Sequence, residues 1–383
     1  MKVGSKHRVW AEIDLEALAN NLRWIRYGMG DAFDVITVVK ADAYGHGLPQ
    51  IAGCLMQSGT HALGVANLDE ASAVRSVGSG WPILMLGACF GKAEFEELCH
   101  DDVIATISSS SEADELSAVA CKREKDVLVH LKVDTGMSRL GVAPERSLSL
   151  ARQIVELPRL ELEGVFTHLS VSEDEDEFTH EQLGRFRRCI SHLRENGLTL
   201  RKVHVMNSGG IAYGPAPVGN MVRPGLLVYG IVPPGRRKPV IDWLGRLKPA
   251  LSLKTRVGLV KKIGTGTSVS YGRVFVSPET RKVATICAGY GDGILRSGSG
   301  CLEVLIRGQR CRVLGNITMD QTIVDVSRVT DAQRGDEVVI IGEQGGSLIT
   351  ALEAAAACET IPWEILTSIT QRVPRIYQGM AVA

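Results

Sequence analysis

Short apolar runs recur along the first two thirds of the chain, each separated from the next by enough residues for one helix. Each run is continuous in hydrophobicity, which is typical of a parallel strand buried on both faces. The eight runs lie at residues 34–40, 61–66, 82–87, 102–107, 127–134, 162–168, 203–208 and 226–230. Eight such strands predict an α/β fold with an N-terminal (β/α)8 TIM-type barrel. An open, doubly wound sheet is the alternative, because a sequence alone does not show closure.

Amphipathic helical patterns occupy the intervals between the runs. Apolar residues recur at steps of three and four between Leu15 and Ile25, directly after Asp14, which can cap a helix. The same pattern lies between Leu183 and Leu193. These intervals therefore predict helices that pack one apolar face on the sheet.

The pattern changes after about residue 245. Beyond this point, β-rich runs are divided by glycine-rich turns instead of helical intervals. These runs lie at residues 251–263, 282–290, 301–315, 321–327 and 336–342. They predict a mostly antiparallel C-terminal β domain over residues 246–383, after a barrel domain over residues 1–245.

Charge and hydropathy exclude several classes of protein. The chain has 383 residues, with 43 lysines and arginines against 43 aspartates and glutamates, so its formal net charge is zero. No charge excess points to nucleic acid or to an anionic membrane surface. The longest apolar stretch, residues 82–90, is too short to span a membrane, and no signal-peptide pattern opens the chain.

The cysteines and the acidic residues suggest no metal site. The nine cysteines are scattered and form no C-x-x-C pair, so we expect buried free thiols in a cytoplasmic protein rather than disulfides or thiolate ligands. The acidic run at residues 172–177 is the other candidate. Carboxylates between a strand and a helix more often stabilise the helix N-terminus or face solvent, so we expect no metal there.

Lys40 closes the first apolar run, at the strand end where (β/α)8 barrels build their active sites. An amine at the end of a buried strand is desolvated, which lowers its pKa and makes it a nucleophile able to form a Schiff base with an aldehyde. A lysine in this position can also extend its charge to solvent, which is the commoner structural role. The neighbouring strand ends favour the first interpretation.

Polar residues stand at the ends of other runs as well. Arg139 follows the fifth run, His168 ends the sixth, and Arg223 precedes the eighth. Loops after the last strands are where such barrels commonly bind phosphate through backbone N–H groups. The candidate N–H groups belong to Ser208, Gly225 and Leu226. The rim is therefore a suitable site for an aldehyde cofactor that carries a phosphate.

Nine segments of the chain closely resemble motifs of the alanine racemase family. They are VVKADAYGHG (38–47), LKVDTGMSRLG (131–141), FTHLS (166–170), NSGG (207–210), VRPGLLVYG (222–230), SVSYGR (268–273), GYGDG (289–293), ITMDQ (317–321) and RVPRIY (372–377). The resemblance runs in family order from about residue 8 to residue 377. It implies a pyridoxal 5'-phosphate-dependent isomerase that interconverts L-alanine and D-alanine and supplies D-alanine for cell-wall peptidoglycan. It also implies a homodimer in which the β domain of each subunit completes the other's active site.

The resemblance implies catalytic roles residue by residue. Lys40 matches the Schiff-base lysine, which is also the base on one face of the substrate Cα, and Tyr271 of the partner subunit matches the base on the other face. A racemase needs two such bases, because the proton leaves one side and arrives on the other. His168 matches the residue that hydrogen-bonds this tyrosine. Arg223 matches the arginine that donates to the pyridine nitrogen and keeps it unprotonated.

Further positions match binding residues of the family. Those that match phosphate-binding positions are Tyr44, Ser208, Gly225 and Leu226. Arg139 and the backbone N–H of Met319 match contacts to the cofactor ring and the substrate carboxylate. Lys132 matches a lysine that some members carbamylate to position that arginine. Tyr290 lies where the family lines its substrate entrance.

Two positions depart from the family pattern. Trp363 stands where the family usually has a tyrosine whose hydroxyl reaches the cofactor phosphate beside the substrate side chain. Indole donates through one N–H, is bulkier and accepts no hydrogen bond, so the change concerns both phosphate binding and the size of the side-chain site. Asn316 stands where the family generally has an arginine, at the wall nearest the dimer partner.

Three other functions share part of this pattern. Trp363 motivates a racemase that acts mainly on serine or another small amino acid. A non-catalytic pyridoxal-phosphate-binding protein of the same barrel type would share Lys40 but would lack the β domain and hence Tyr271. A basic amino-acid decarboxylase of this class resembles a pattern with a cysteine and a glutamate in place of Tyr271 and Arg223. The sequence therefore favours alanine racemisation.

Overall fold

The structure, a computed structural model, describes residues 6–215, 217–239 and 241–379. These residues divide into two compact units. The barrel unit contains the described residues of 17–43 and 48–248, and the β unit contains those of 6–16, 44–47 and 249–379. This division differs from two contiguous domains that meet at residue 245, because the first strand, β1 (Val9–Asp14), pairs only with strands of the β unit.

Eight parallel strands form the sheet of the barrel unit. They are β2 (Asp34–Val38), β3 (Ala62–Val65), β4 (Ile83–Met85), β5 (Ala105–Ile107), β6 (Val127–Lys132), β7 (Leu160–Phe166), β8 (Lys202–His204) and β9 (Met221–Val222). Along the sheet their order is β4, β3, β2, β9, β8, β7, β6, β5. A parallel bridge between Leu84 in β4 and Ile104, directly before β5, joins the two ends of the sheet. The sheet is thus closed, and the predicted barrel is confirmed over the open sheet.

Helices alternate with these strands. They are α1 (Leu15–Met29), α2 (Lys40–Gly45), α3 (Leu48–Gln57), α4 (Leu68–Arg75), α5 (Gly91–His100), α6 (Ser110–Arg123), α7 (Ser147–Glu156), α8 (Asp176–Glu195) and α9 (Ser208–Tyr213), with short 3₁₀ turns at Pro144–Arg146 and Asp242–Arg246. Helix α1 buries Leu18, Leu22 and Ile25, as its spacing predicts. Ser109 and Glu112 form a capping box that satisfies the first N–H groups of α6. No helix in the described residues is long and apolar enough to cross a membrane.

The eighth strand is not where the sequence predicts it. The apolar run 226–230 predicts this strand, but the structure forms it at Met221–Val222. Residues 226–230 instead make consecutive turns, in which three successive N–H groups donate to carbonyl groups three residues earlier. Hydrophobicity marks both segments as buried but does not distinguish a short buried turn from a short buried strand. As a result, Arg223 follows the last strand instead of preceding it.

The β unit is mostly antiparallel, as predicted: its described strands form one nine-stranded sheet and a separate pair, β11 with β12. Its further strands are β10 (Leu251–Ile263), β11 (Ser268–Val269), β12 (Phe275–Val276), β13 (Arg281–Ile286), β14 (Glu303–Ile306), β15 (Gln309–Arg312), β16 (Thr322–Asp325), β17 (Glu337–Gln344), β18 (Ser347–Ile349) and β19 (Arg375–Gln378), and its helices are α10 (Ala351–Ala357) and α11 (Pro362–Thr367). Strand β10 pairs antiparallel with β1, β13 and β17 and so organises the sheet. The predicted run 301–315 divides into the hairpin β14–β15 at Arg307 and Gly308, whose positive φ angles form a tight turn.

Candidate functional site

The C-terminal ends of the barrel strands carry the side chains that the sequence predicts for the site. Lys132 is the last residue of β6, while Lys40 and His168 follow β2 and β7 by two residues. Arg223 directly follows β9, and Ser208 comes four residues after β8. Because the strands are parallel, all five residues lie at the same end of the barrel, where barrels of this class bind their ligands.

Lys40 opens a helical turn of left-handed sense. Residues 41–44 have φ angles between 52° and 54°, and Gly45 has a φ of 78°. The N–H of Ala43 donates to the carbonyl of Val39 at 2.8 Å, so the turn closes like one turn of a helix. A left-handed conformation costs about 1–2 kcal/mol for each residue with a Cβ. Other contacts must therefore hold this segment in place.

Two carboxylates supply such contacts. Glu70 accepts hydrogen bonds from the N–H of Ala41 at 2.6 Å and from the N–H of Ala66 at 2.7 Å. Asp42 accepts from the N–H of Leu48 at 2.8 Å. The strained turn is thus fixed at its start and beyond its end. Strained backbone of this kind concentrates at functional sites, where it fixes the direction of a reactive side chain.

The amine of Lys40 lies in a positively charged environment. Burial is the main cause that lowers the pKa of Lys40, the charge of Arg139 lowers it further, and the carboxylate of Glu70 partly opposes both effects. A lowered pKa raises the neutral fraction of the amine near pH 7. The neutral amine is the form that can act as a nucleophile or accept a proton.

Lys132 shares this environment and is more deeply buried. Its exposed fraction is 4%, and burial, together with the charges of Arg139 and Arg223, lowers the pKa of Lys132 to about 8. Its Nζ atom lies 5.4 Å from the centre of the Phe166 ring. The side chain of Arg139 itself is exposed. Lys132 is therefore an amine that exists partly in its neutral form at physiological pH.

Arg223 is a buried guanidinium that still has N–H groups available to a ligand. Its Nη2 donates to the carbonyl groups of Thr167 at 2.7 Å and Val205 at 2.9 Å, and its Nη1 lies 2.6 Å from Nδ1 of His204. Burial lowers the pKa of Arg223 to about 9, which leaves it charged at neutral pH. No residue in the described chain accepts a hydrogen bond from its Nε–H, so this donor is available to a ligand.

His168 lies beside the same guanidinium. Its Nδ1 is 3.4 Å from Nη2 of Arg223, and its Nε2 is 3.3 Å from Nδ2 of Asn207. Burial and the charges of Arg223 and Arg139 lower the pKa of His168 well below its ordinary value. The ring is therefore neutral at physiological pH, with one nitrogen able to donate and the other able to accept.

Hydrogen-bond donors cluster where β8 and β9 end. Asn207 caps the short helix α9, and the hydroxyl of Ser208, its first residue, accepts from the N–H of Gly225 at 2.9 Å. The N–H of Leu226 donates to no residue in the part of the chain that the structure describes. Backbone N–H groups and a hydroxyl gathered at one loop pair are the donor set that a phosphate requires.

Together these groups fit pyridoxal phosphate, the aldehyde cofactor that the sequence predicts. The cofactor needs an amine for its aldehyde, donors for its phosphate and a partner for its pyridine nitrogen. Lys40, the Ser208–Leu226 loop pair and the Nε–H of Arg223 are the groups of this rim that could supply these three functions. Across the described residues, no group of three or more histidine, cysteine or carboxylate side chains could hold a metal ion.

Tyr271 lies in a strained turn of the β unit. Its side chain is 75% exposed. Around it, Ser270, Gly272 and Arg273 have φ angles of 62°, 74° and 51°. Asn316 holds this turn: its Nδ2 donates to the carbonyl of Tyr271 at 2.9 Å, and its own carbonyl accepts from the hydroxyl of Ser270 at 2.5 Å. Asn316, one of the two departures from the family pattern, therefore fixes the backbone that carries Tyr271.

Met319 and Tyr290 are further exposed residues of the β unit, with exposed fractions of 52% and 42%. The N–H groups of Tyr290 and Gly291 donate to the carbonyls of Thr318 and Met319 and so join the two loops. Beside Tyr290, the carboxylate of Asp292 is buried and forms ion pairs with Arg8 at 2.5 Å and with Arg372 at 3.2 Å. Two arginines thus compensate the charge of this carboxylate and hold the loop of Tyr290.

The other predicted site residues of the β unit are Trp363 and Tyr44. Trp363 is half-buried in the first turn of α11, where its carbonyl accepts from Thr367 Oγ1 at 2.8 Å, and its indole N–H donates to no described residue. Tyr44 is 7% exposed.

The predicted site residues are divided between the two units of the chain. The barrel unit holds Lys40, Lys132, Arg139, His168, Ser208, Arg223, Gly225 and Leu226, and the β unit holds Tyr44, Tyr271, Met319 and Trp363.

Sequence reasoning missed several residues that support this site. Glu70 holds the turn after Lys40, and His204 contacts Arg223. His204 in turn lies 2.7 Å from a second buried histidine, His130. Each of these histidines has an apolar residue on either side of it in the sequence: Val129 and Leu131 flank His130, and Val203 and Val205 flank His204. A polar, titratable residue in such a position requires a hydrogen-bond partner, and this requirement is the signal that could have identified the pair.

Comparison with known proteins gives matches along nearly the whole chain. Residues 13–233 match the family described as alanine racemase, N-terminal domain, and residues 250–377 match alanine racemase, C-terminal domain. The chain is 40% identical to an alanine racemase of Clostridium perfringens over 97% of this chain and 95% of that protein. It is 39% identical to an alanine racemase of Synechocystis over 97% and 99%.

Solved structures show the same similarity. An alanine racemase of Clostridium difficile is 33% identical, with a TM-score of 0.91 over 97% of this chain and 96% of that one. An alanine racemase of Bacillus anthracis with bound L-Ala-P is 32% identical, with a TM-score of 0.88 over 97% and 95%. The similarity therefore extends through both units of the chain.

Proposed function

The chain belongs to the alanine racemase family, and from this premise we propose how its residues carry out the reaction. The protein is an isomerase that interconverts L-alanine and D-alanine. Members of the family depend on pyridoxal phosphate. We propose that the product D-alanine serves cell-wall peptidoglycan and that the enzyme is cytoplasmic, a location that the nine free thiols support.

We infer that the barrel rim holds the cofactor. Lys40 would bind its aldehyde, and Ser208, Gly225 and Leu226 would bind its phosphate, with Tyr44 and Trp363 as further proposed phosphate contacts. When bound, pyridoxal phosphate withdraws electron density from the substrate Cα and so acidifies its hydrogen. The observation that carries the proposal is the convergence, on a single rim, of an amine with a lowered pKa and a buried guanidinium whose Nε–H has no acceptor among the described residues.

Two bases move the proton. The neutral amine of Lys40 takes it from one face of Cα, and the hydroxyl of Tyr271 from the partner subunit delivers one to the opposite face; the reverse direction exchanges their roles. A phenol with an ordinary pKa near 10 needs help to act as a base near pH 7. The neutral ring of His168 would provide a hydrogen bond to it.

Arg223 limits the chemistry to proton exchange. A guanidinium can only donate, so its Nε–H would hydrogen-bond the pyridine nitrogen and leave that nitrogen without a proton. An unprotonated ring withdraws electrons only moderately, which disfavours transamination and other side reactions. Arg139 and the N–H of Met319 would orient the substrate carboxylate.

The exposure of Tyr271 and Met319 supports a homodimer. Proton transfer needs a site that excludes water, whereas both of these side chains are more than half exposed on a single chain. We propose that association places them against the barrel rim of the partner. The β unit of each subunit would thus complete the active site of the other.

Isotope exchange in deuterated water tests the two-base assignment. The change Lys40→Ala should abolish racemisation and the visible absorbance of lysine-bound cofactor together. The change Tyr271→Phe should keep this absorbance and lower racemisation at least about 100-fold, since one positioned acid–base group contributes roughly 10²–10⁴-fold. This variant should still exchange the Cα hydrogen of D-alanine, which Lys40 removes, but not that of L-alanine.

Tyr27 offers a matched control for Tyr271. It is 76% exposed and lies on α1 of the barrel unit, so Tyr27→Phe should leave both exchange reactions unchanged. Equal exchange of both alanine enantiomers by Tyr271→Phe would refute the two-base assignment. Retention of covalently bound cofactor by Lys40→Ala would refute the assignment of the lysine.

A further inference from the structure

A row of side chains leads from Arg223 across three strands to Glu163. Arg223 Nη1 lies 2.6 Å from His204 Nδ1, and His204 Nε2 lies 2.7 Å from His130 Nδ1. His130 Nε2 then lies 3.1 Å from Glu163 Oε2. The two histidines are almost fully buried, whereas the side chain of Glu163 is 17% exposed. The row therefore connects the guanidinium of the site to a carboxylate near the barrel surface.

The chemistry of these groups sets one direction for all three hydrogen bonds. A guanidinium only donates, so Nδ1 of His204 accepts, and the single proton of this ring lies on Nε2. That Nε2–H donates to Nδ1 of His130, which places the proton of His130 on its Nε2. Glu163 accepts this last proton as an ionised carboxylate, and it is the terminal acceptor of the row.

The charge states agree with this direction. Burial lowers the pKa of His130 and places the pKa of His204 well below its ordinary value, so each ring carries one proton at neutral pH. The hydrogen bond from His130 lowers the pKa of Glu163, which keeps the carboxylate ionised. Each group therefore has the number of protons that the row requires.

The backbone is shaped to bring Glu163 to His130. Val129 pairs with Leu162 and His130 pairs with Gly164, which leaves Glu163 as the extra residue of a β-bulge. A bulge redirects the side chain of the extra residue, and bulges are common beside active sites. A Cβ at Gly164 would lie 2.9 Å from the Nε2 atom of His130, so only glycine leaves room for this ring.

We propose that Glu163 and His130 are positioning residues for racemisation, which act through His204 to hold Arg223 as a donor aimed at the pyridine nitrogen. This inference rests on the proposed role of Arg223. Without the carboxylate, His130 has no acceptor that keeps its proton on Nε2. With the proton on Nδ1, His130 would oppose the Nε2–H of His204. The proton of His204 would then lie on its Nδ1, and Arg223 would lose the acceptor of its Nη1–H group.

Variants of Glu163 test the direction of the row. Glu163→Met removes the acceptor and preserves the length of the side chain, whereas Glu163→Gln keeps an acceptor oxygen without the charge. Glu161→Met is the matched control, because Glu161 lies on the same strand and is exposed, and it pairs with Arg201 outside the row. All three variants remove one negative charge from β7.

The first measurement is nitrogen-15 NMR of the histidine rings in the holoenzyme. The wild-type protein and Glu161→Met should show His130 and His204 as Nε2–H tautomers. Glu163→Met should shift His130 toward the Nδ1–H tautomer or a mixture, and Glu163→Gln should retain the wild-type pattern. An Nδ1–H tautomer of His204 in the wild-type protein would overturn the proposal, as would unchanged tautomers in Glu163→Met.

The second measurement determines kcat and KM separately for each variant. Glu163→Met should lower kcat about tenfold, the scale of a hydrogen bond to a charged group, with KM for alanine within about twofold. Glu163→Gln should recover most of this loss, and Glu161→Met should show none. Equal kcat values in Glu163→Met and Glu161→Met would contradict the positioning role. Absence of racemisation in the wild-type protein would instead contradict the proposed function, so the two failures are distinguishable.

Discussion

At the scale of residues, Lys40 and Lys132 lie in the same positively charged environment but differ in their burial and in what opposes the lowering of their pKa. Glu70 opposes the lowering of the pKa of Lys40, while Lys132 is more deeply buried, and its pKa falls to about 8. No carboxylate of the described residues forms an ion pair with Arg139 or Lys132. A carbamate formed from Lys132 and carbon dioxide would supply the missing negative charge beside Arg139, so we propose that Lys132 is carbamylated.

The pKa of Lys132 sets the pH dependence of this reaction. Only the neutral amine attacks carbon dioxide, so at a fixed concentration of dissolved carbon dioxide the initial rate should rise roughly tenfold per pH unit below pH 8 and level off above it. Carbon-13 NMR with labelled carbon dioxide measures the rate through the carbamate signal. Lys132→Arg should lose this signal, and a rate that keeps rising beyond pH 10 would contradict the lowered pKa.

The sequence identified Lys40 and Arg223 because each stands at the polar end of an apolar segment. Glu163, His130 and His204 could not be identified in this way. Their contacts join three strands that are far apart in the chain, and the side chain of Glu163 is redirected by a bulge that no hydrophobic pattern records. Site residues that contact ligands are thus easier to predict than the residues behind them.

At the scale of elements, short segments with left-handed backbone present the reactive groups. Residues 41–44 form such a turn after Lys40, and Ser270 and Arg273 flank Tyr271 with positive φ angles. Neither segment follows from hydrophobic periodicity, which predicted strand β2 before Lys40 but neither β11 nor β12 beside Tyr271. The apolar turn at 226–230 shows the same limit, because burial was predicted correctly and conformation was not.

Asn316 provides a test of the turn that carries Tyr271. Asn316→Ala removes the hydrogen bond to the carbonyl of Tyr271, so we expect kcat to fall about threefold to tenfold, the worth of one neutral hydrogen bond. Cofactor absorbance should stay unchanged. Hydrogen exchange followed by mass spectrometry should show faster exchange at residues 270–273. Gln309→Ala, on an exposed hairpin of the same unit, is the control, and equal exchange in the two variants would contradict this role of Asn316.

At the scale of the whole molecule, the chain distributes its proposed bases over two units. Lys40 lies in the barrel unit and Tyr271 in the β unit, and the proposed dimer combines the barrel of one subunit with the β domain of the other. In such an arrangement, both chains contribute residues to each active site. Activity then depends on which subunits associate, and this dependence can be measured with mixed dimers.

Complementation between inactive variants tests this arrangement. Lys40→Ala and Tyr271→Phe homodimers should both be nearly inactive, since every site in them lacks one base. After dissociation and reassociation of an equal mixture, half of the dimers are mixed, and each has one site with both bases, so about a quarter of wild-type activity should return. The double variant mixed with Lys40→Ala should regain nothing. If both bases of a site belonged to one chain, no mixture would regain activity, because every chain in it would lack one base.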